Sequence, residues 1–402
     1  MHVLSVIQLY PPMFSGEARY WMRMIPTLNE RGLKVDVLSQ NPQGGVLLRE
    51  HSGQLTQWRP PRWLGLGSYA EYLLAVMKML VTTRGCYDAV LFHSTNADAF
   101  YAAVACRRAL RTRIIYKMTL MGEDDPLSIR DGSRFGEYRL RLLRRADAVV
   151  SISPALTDSA LRAGVPRNQL WQIFQGPDVT HFVPATPEVR GAIRAREGLP
   201  QDATVVLFVG ALVQRKGIDV LLKAWQAAID EHPNSLLLLV GPGSELELST
   251  DDAEFARGMK QLARAPEHRA SVRFLDFRED IAELFQIADI FVFPSRAEGM
   301  PAVVLEAMAS GLPCVISDLP GVAGVAVRDG KEGLVVRMED WQGLAAALKR
   351  LLADPVLARA LGHNARVRAV SDYSQSAAAD LYEEVFRTVV GRRNRKYDPQ
   401  GA

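Results

Sequence analysis

Two series of short apolar segments, each segment followed by a longer amphipathic stretch, run along the 402-residue chain. The first series predicts strands near residues 3–8, 34–39, 89–94, 113–118, 148–153 and 170–174. The second predicts strands near residues 204–209, 236–240, 272–277, 290–293, 313–317 and 333–336. Strands that alternate with helices favour parallel sheets joined by crossover helices. The sequence therefore predicts an α/β protein with two doubly wound, Rossmann-like domains whose parallel sheets face a cleft.

A segment without apolar periodicity separates the two series. It contains Pro184 and Pro187, which favour loop structure, so a domain boundary is predicted between residues 182 and 183. Residues 1–182 are the first predicted domain and residues 183–372 the second. Residues 373–391 carry apolar residues at helical spacing and predict a final helix, and the polar residues 392–402 predict a disordered tail.

Composition and charge exclude several classes of protein. A net charge of +3 is too small to indicate a nucleic-acid-binding protein. No apolar run is long enough to cross a bilayer and no secretory signal is visible, so a cytoplasmic location is expected. The three cysteines show no metal-ligand spacing and fit a reducing compartment, so no metal site is expected.

The stretch 294–311 places two carboxylates, Glu298 and Glu306, around a predicted turn between a strand and a helix. Gly299 allows a tight turn, and Pro301 suits the first turn of a helix. The start of a helix offers unpaired backbone N–H groups and a partial positive charge, which together can hold an anion. An anion with hydroxyl groups on both sides, such as a nucleotide-diphosphate sugar, would fit this arrangement.

This stretch resembles the signature of the retaining glycosyltransferases of family four, which have the GT-B fold. The match covers both glutamates, the Gly-x-Pro between them and the Glu-Ala-Met-Ala-x-Gly tail. The resemblance implies that Glu298 contacts hydroxyl groups of the donor sugar and that Glu306 contacts the ribose. It also implies that the backbone N–H groups of Gly299 and Met300, ahead of Pro301, help to hold the donor.

For the whole chain, the resemblance implies an acceptor-binding first domain and a second domain that binds the nucleotide sugar. It implies a final helix that crosses back onto the first domain. It implies no cofactor, because the nucleotide-diphosphate sugar is a substrate and the chemistry of this fold generally needs no metal.

The loop after the first strand of the second domain is similar to the family's loop that holds the donor diphosphate. Lys216 matches the family's lysine, whereas Ala211 stands where the family has an arginine. A fixed cation at the leaving diphosphate stabilises the transition state, so Lys216 and Glu298 are the predicted catalytic residues. Arg215 is a candidate for the missing charge, with a solvated surface turn as the alternative.

The first half of the chain resembles the family more loosely. Gly16 matches one glycine of the family's first loop, where the backbone comes close to the donor phosphate. Thr119 stands where many members have a histidine near the donor sugar, and Gln175 replaces an asparagine before the hinge. His93, at the end of a predicted strand, is a candidate for the acceptor side, with a purely structural role as the alternative.

Arginines crowd the stretch 130–145, which is interleaved with leucines and predicts a basic amphipathic helix. Such a helix usually turns a solvated charged face to water. Peripheral contact with anionic lipid at the inner face of a membrane is the alternative.

The predicted function is transfer of a sugar from a nucleotide-diphosphate sugar to a saccharide or lipid-linked acceptor, with retention of anomeric configuration. One alternative is a degenerate binding or scaffold protein of the same fold, which the replacements at Ala211, Thr119 and Gln175 motivate. Another is a sugar-nucleotide epimerase of similar fold, which would convert the donor without an acceptor.

Overall fold

The computed structural model describes residues 1–8, 10, 16–40, 48–52, 55–59, 68–94, 97–132, 134–243, 250–266, 271–278 and 280–395. Its contacts divide the chain into two compact units. Unit 1 is Met1–Gln175 together with Ser376–Ala402, and unit 2 is Gly176–Gln375. The domain boundary predicted after residue 182 stays a prediction.

Unit 1 is built on one twisted sheet with helices after most strands. Its strands are β1 (His2–Val6), β2 (Lys34–Leu38), β3 (Leu48–Ser52), β4 (Leu55–Arg59), β5 (Ala89–His93), β6 (Arg113–Met118), β7 (Ala148–Ser151) and β8 (Leu170–Gln172). Its helices before the unit boundary are α1 (Gly16–Glu30), α2 (Ser68–Thr82), α3 (Ala97–Ala105), α4 (Arg107–Leu110), α5 (Pro126–Gly132), α6 (Gly136–Leu143) and α7 (Pro154–Arg162).

The strand order of the unit 1 sheet is β3-β4-β2-β1-β5-β6-β7-β8. The order reverses between β1 and β5, which pair in parallel, so this is the point where α/β sheets commonly bind ligands. The six predicted strands are present. The hairpin of β3 and β4, whose two strands pair antiparallel at the edge of the sheet, was not predicted.

Unit 2 has the doubly wound order β11-β10-β9-β12-β13-β14, with every pairing parallel. Its strands are β9 (Thr204–Val209), β10 (Ser235–Val240), β11 (Val272–Leu275), β12 (Ile290–Phe293), β13 (Cys314–Ser317) and β14 (Gly333–Val336). Its helices are α8 (Pro187–Arg196), α9 (Ile218–Ile229), α10 (Thr250–Leu262), α11 (Ile281–Ile287), α12 (Ala302–Ala309), α13 (Trp341–Ala353) and α14 (Pro355–Asp372). The two sheets confirm the predicted α/β fold with two doubly wound parts.

The last helix, α15 (Gln375–Arg395), belongs to unit 1 except for its first residue. Tyr382, Val385, Phe386 and Val389 recur at helical spacing and are buried in one core cluster with Trp21 and the central strands. Residues 392–395 of the tail predicted to be disordered are helical, and the rest of that tail lies outside the described residues. No helix within the described ranges is both long and apolar enough to span a membrane.

Candidate functional site

Two loops of unit 2 meet at the carboxyl ends of β9 and β12. These strands are neighbours in the sheet, and the strand order reverses between them. The loop after β9 carries Arg215 and Lys216, and the segment after β12 carries Glu298. Because consecutive connections leave this point towards opposite faces of the sheet, a crevice forms outside the strand ends, where ligands bind in such folds.

Close backbone contact locks the two loops together. Gly217 has φ +71°, and a Cβ atom at this position would lie 2.0 Å from the carbonyl oxygen of Pro294. The Arg296 N–H donates to the Arg215 carbonyl oxygen at 2.8 Å. The site therefore needs glycine at position 217 for both its conformation and its lack of a side chain.

Three donors converge on one oxygen of Glu298. Lys216 Nζ lies 2.6 Å from Glu298 Oε1, Arg215 Nη1 lies 2.7 Å from it, and Ser295 Oγ lies 2.8 Å from it. Among the described residues, none donates a hydrogen bond to Oε2 of the same carboxylate. One oxygen of Glu298 is thus held by the protein, and the other is available to a ligand.

The charges at this point do not cancel. Burial raises the pKa of Glu298, but Lys216 and Arg215 outweigh burial and bring the pKa below its ordinary value. Burial lowers the pKa of Lys216, and the facing carboxylate opposes that shift. One carboxylate faces two cations, so the cluster carries one positive charge in excess. The side chain of Arg215 is 36% exposed, whereas that of Lys216 is 13% exposed, so Arg215 is the cation closer to solvent.

Helix α12 begins directly after this cluster. Gly299, Met300 and Pro301 are buried, and Pro301 is the N-cap, which has no side-chain oxygen to accept from the first backbone N–H groups. The partial positive charge of the helix start adds to the excess cation. Glu306 lies in the second turn of α12 and is 3% exposed. One edge of unit 2 therefore carries the cations Arg215 and Lys216 together with the five signature residues, 298–301 and 306.

Arg296 was not predicted as a site residue, yet its side chain helps to hold the loop that carries Arg215 and Lys216. Its guanidinium pairs with Asp219 at 2.8 and 2.9 Å, and it also contacts Glu339 and the Gln214 carbonyl oxygen. Glu339 has φ +64°, a value that non-glycine residues adopt infrequently. Ser295, the third donor to Glu298, was also missed, because a serine inside a signature gives no separate signal.

The unit 1 candidate Thr119 lies just beyond β6 in a hydrogen-bonded cluster. Its hydroxyl donates to Asp124 Oδ2 at 2.8 Å and lies 2.5 Å from Ser94 Oγ, which follows β5. Two backbone N–H groups, of Thr119 and Leu120, also donate to Asp124. Burial raises the pKa of Asp124 to about 6, although these hydrogen bonds oppose the shift. Thr119 is half-buried, and its hydroxyl is held by protein groups beyond the carboxyl end of β6.

The second unit 1 candidate, His93, is fully buried. The His93 side chain is 0% exposed; its Nδ1 lies 2.5 Å from Glu17 Oε1, and its Nε2 lies 2.9 Å from Ser5 Oγ. Both ring nitrogens are thus occupied by protein groups, which is the arrangement of a structural histidine. His93 as an acceptor-side residue stays a prediction, and this geometry favours its structural alternative.

Glu17 and Lys117 form a buried ion pair that sequence reasoning missed. Lys117 Nζ lies 2.5 Å from Glu17 Oε1, and the Lys117 side chain is 0% exposed. Burial raises the pKa of Glu17, but Lys117 and His93 bring it well below the ordinary value. Gln175 donates to Glu17 Oε2 at 2.5 Å. A lysine inside an apolar strand sequence signals a buried partner, but the sequence does not identify that partner.

Gly16 is the exposed first residue of α1, and an added Cβ atom would meet no heavy atom of the described residues within 4 Å. Internal packing therefore does not explain a glycine here, and its role in ligand contact stays a prediction. Among the described residues, no group of three or more histidine, cysteine, aspartate or glutamate side chains could hold a metal ion.

The stretch 130–145, predicted as one basic helix, is divided between the end of α5 (Pro126–Gly132) and α6 (Gly136–Leu143), and α6 buries Leu140, Leu142 and Leu143. On its outer side lies what we call the basic aromatic patch, defined by exposed Arg134, Phe135, Tyr138, Arg141 and Arg145. Phe135 is 66% exposed and Tyr138 is 55% exposed. Tyr138 and Arg141 are three residues apart on α6 and share a face, whereas Arg134 and Phe135 directly precede the helix and Arg145 follows it.

Comparison with known proteins gives matches along most of the chain. Residues 189–368 match the family described as Glycosyl transferases group 1, and residues 15–173 match the family described as Glycosyl transferase 4-like domain. A D-inositol 3-phosphate glycosyltransferase from Streptomyces avermitilis is 32% identical over 253 residues, which are 60% of this chain and 53% of that protein. The chain thus matches about half the length of this relative.

A lipopolysaccharide core biosynthesis glycosyltransferase, LpsE, from Rhizobium meliloti is 29% identical over 257 residues, which cover 63% of this chain and 68% of LpsE. The crystal structure of HepE from Anabaena, solved in complex with UDP and glucose, superposes with a TM-score of 0.75 at 20% sequence identity. The superposition covers 96% of this chain and 100% of HepE. This likeness shows that the two proteins share the GT-B fold.

Proposed function

Because this chain belongs to the Glycosyl transferases group 1 family, we propose that it transfers a sugar from a nucleotide-diphosphate sugar to a saccharide or lipid-linked acceptor, with retention. The single observation that carries the proposal is the excess positive charge around Glu298. Lys216 and Arg215 both contact this carboxylate, at the start of α12 and at the reversal of strand order. A diphosphate is the group that this combination of cations and helix start would hold most strongly.

Each residue has a proposed role that follows from its surroundings. Lys216 and Arg215 bind the diphosphate, and they stabilise the charge that grows on it as the sugar–phosphate bond breaks. Glu298 keeps Oε1 on its three donors, so Oε2 accepts from a hydroxyl of the donor sugar. The backbone N–H groups of Gly299 and Met300, ahead of Pro301, contact the donor, and Glu306 accepts from the ribose.

Arg215 fills the gap that Ala211 leaves in the family pattern. It reaches Glu298 from the same turn as Lys216 and remains more exposed than the lysine. Its guanidinium can therefore contact an incoming phosphate without a prior movement of the side chain towards solvent. The second cation is therefore displaced along the loop rather than lost, which opposes the degenerate scaffold.

A screen of nucleotide sugars tests the proposal. We expect one of the UDP-, GDP- or ADP-sugars to raise the melting temperature, and the same compound to be consumed when a suitable acceptor is present. Consumption that needs no acceptor and yields an epimeric sugar nucleotide would instead support the epimerase. Binding without turnover, equal in the wild type and Glu298→Gln, would support the scaffold.

We further propose that unit 1 contacts an anionic membrane surface through the basic aromatic patch. Exposed Phe135 and Tyr138 are suited to the boundary of a bilayer, and the three arginines around them are suited to anionic headgroups. LpsE, the Rhizobium relative, is named for lipopolysaccharide core biosynthesis. A lipid-linked acceptor would place this chain at a membrane surface, on the cytoplasmic side.

A further inference from the structure

A cavity of about 390 Å³ opens at the amino-terminal edge of the unit 2 sheet. Thr204 begins β9, Ile290 begins β12, and Pro313 directly precedes β13, and all three line the cavity. Lys216 and Glu298 follow the opposite ends of the same β9 and β12, so the cavity is distinct from the site described above. Its volume lies within the range of small-molecule binding pockets.

Helices supply an apolar wall. Phe285 of α11, Leu351 and Leu352 of α13 and Ala358 of α14 line the cavity, together with Leu312 ahead of β13. These five side chains are each at most 9% exposed. An apolar group in the cavity would thus contact hydrocarbon side chains along this wall.

Two polar groups at the cavity lack partners. Ser310 is 4% exposed, and its Oγ has no hydrogen-bond partner among the described residues. A buried hydroxyl without a partner costs about 1–3 kcal/mol, which a ligand atom that bonds to it would recover. Arg359 is exposed on α14, lines the cavity and makes no ion pair with any residue that the structure describes.

The second arginine at the cavity differs. Arg190 donates to the Ala288 carbonyl oxygen at 2.9 Å and pairs with Asp289 at 2.5 Å, and Asp289 also pairs with Arg194 at 2.9 Å, so the Arg190 guanidinium is already held by protein groups. The cavity lining therefore combines an apolar wall, a buried hydroxyl, the Arg190–Asp289 pair and one arginine, Arg359, that makes no ion pair with a described residue. This is the lining expected for a compact molecule with an anionic group at one end and hydrocarbon at the other.

We propose that this cavity binds a small organic anion, a carboxylate or phosphate monoester on an apolar body. The anionic group pairs with Arg359, the apolar body lies against Leu312, Leu351 and Phe285, and Ser310 bonds to a polar atom of the ligand. The site does not depend on the proposed transfer reaction, because none of its residues belongs to the donor cluster.

Calorimetric titration of the full chain with octanoate, phenyl phosphate and inorganic phosphate tests the site. We expect saturable binding of octanoate, phenyl phosphate or both that Arg359→Gln weakens, whereas any binding of inorganic phosphate, which lacks an apolar body, should be the same in that variant. Arg359→Gln should weaken binding about tenfold, the effect of losing a hydrogen bond to a charged group. Arg350→Gln, which removes an exposed arginine outside the cavity lining, should leave it unchanged.

A second variant tests the hydroxyl. Ser310→Ala should weaken binding without lowering the melting temperature of the ligand-free protein, because no hydrogen bond is lost. No saturable binding of either amphiphile at millimolar concentration would overturn the proposal. Equal weakening by Arg359→Gln and Arg350→Gln would also overturn it, because the interaction would then be nonspecific attraction between charges.

Discussion

Lys216 Nζ and Glu298 Oε1 lie 2.6 Å apart, although 82 residues separate them in the chain. The pair makes Glu298 a counter-charge as well as a ligand-binding residue. Glu298→Gln should therefore leave affinity for the nucleoside diphosphate unchanged or higher, because the two cations lose their internal anion. The same variant should lower kcat about 10²–10³-fold through loss of the contact to the reacting sugar. Calorimetry and donor turnover check the two effects separately.

Lys216→Met should act in the opposite way on binding. It removes the buried cation, so affinity for the nucleoside diphosphate should fall about tenfold or more, whereas affinity for the uncharged nucleoside should change little. Titration of the nucleoside diphosphate and of the nucleoside into the wild type and into Lys216→Met provides the comparison. Equal weakening for diphosphate and nucleoside would contradict the role assigned to Lys216.

Gly217→Ala should damage the site through the backbone. Its Cβ atom would lie 2.0 Å from the Pro294 carbonyl oxygen, so the two loops must separate. Gly198 is a matched control, because it has φ +63° but no heavy atom within 4 Å of an added Cβ. Gly198→Ala should cost roughly 1–2 kcal/mol of stability from conformation alone. Gly217→Ala should cost more and also weaken binding of the nucleoside diphosphate, as measured by chemical unfolding and calorimetry.

The buried pair of Glu17 and Lys117 should show strong coupling. Lys117→Met or Glu17→Gln alone leaves an uncompensated buried charge and should lower the free energy of unfolding by about 3–5 kcal/mol. The double variant should lose clearly less than the sum of the single losses. Arg387, paired with Glu383 on the surface of α15 at 2.7 Å, is the control, and Arg387→Met should cost less than about 1 kcal/mol. Additive losses at Glu17 and Lys117 would contradict the buried pair.

Asp124 and Asp125 should give opposite pH dependences of stability. The folded pKa of Asp124, about 6, lies above its ordinary value, so its folded form binds more protons and stability falls as pH rises towards 6. The difference in unfolding free energy between the wild type and Asp124→Asn should fall between pH 4 and pH 6 and be constant above pH 7.

Asp125 is the internal control for this experiment. Burial raises its pKa, but hydrogen bonds from Ser128, Ser159 and Gly122 bring the pKa below its ordinary value. The difference between the wild type and Asp125→Asn should therefore be constant above about pH 5 and fall only at lower pH, as the carboxylate is protonated. A difference for Asp124→Asn that rises between pH 4 and pH 6 would refute the raised pKa.

The basic aromatic patch should bind vesicles that contain anionic lipid. Phe135→Ser combined with Tyr138→Ser should reduce flotation with phosphatidylserine vesicles at low salt, because the apolar contact with the bilayer is lost. Phe277→Ser, at an aromatic side chain of unit 2 that is 37% exposed, is the control. Wild-type protein that fails to float with anionic vesicles at low salt would remove the proposed membrane contact.

The sequence predicted the repeating architecture because buried parallel strands are continuous apolar runs, as in Ile290–Phe293. It missed the edge hairpin of β3 and β4, whose residues are largely polar and carry no such run. The signature located Glu298, Glu306 and the start of α12, because that information is local.

Contacts between distant residues could not be read from the sequence in the same way. Lys117 and Glu17 are 100 residues apart, and only the pairing of β1, β5 and β6 brings them together. The burial of His93 follows from the same packing, since Trp21 and Glu17 of α1 cover its ring. His93 ends β5, where the sequence alone made it a candidate for ligand contact. In the fold, helix α1, which begins 77 residues earlier at Gly16, covers this strand end.

The surplus cation beside Glu298 bears on how a catalytic cycle ends. Cleavage of the sugar–phosphate bond leaves a nucleoside diphosphate more negative than the donor from which it came. A pocket with unbalanced positive charge holds this leaving product more tightly than the starting compound. The same charge would then slow the departure of the spent nucleotide, and Glu298 would speed that departure by competing for Lys216 and Arg215.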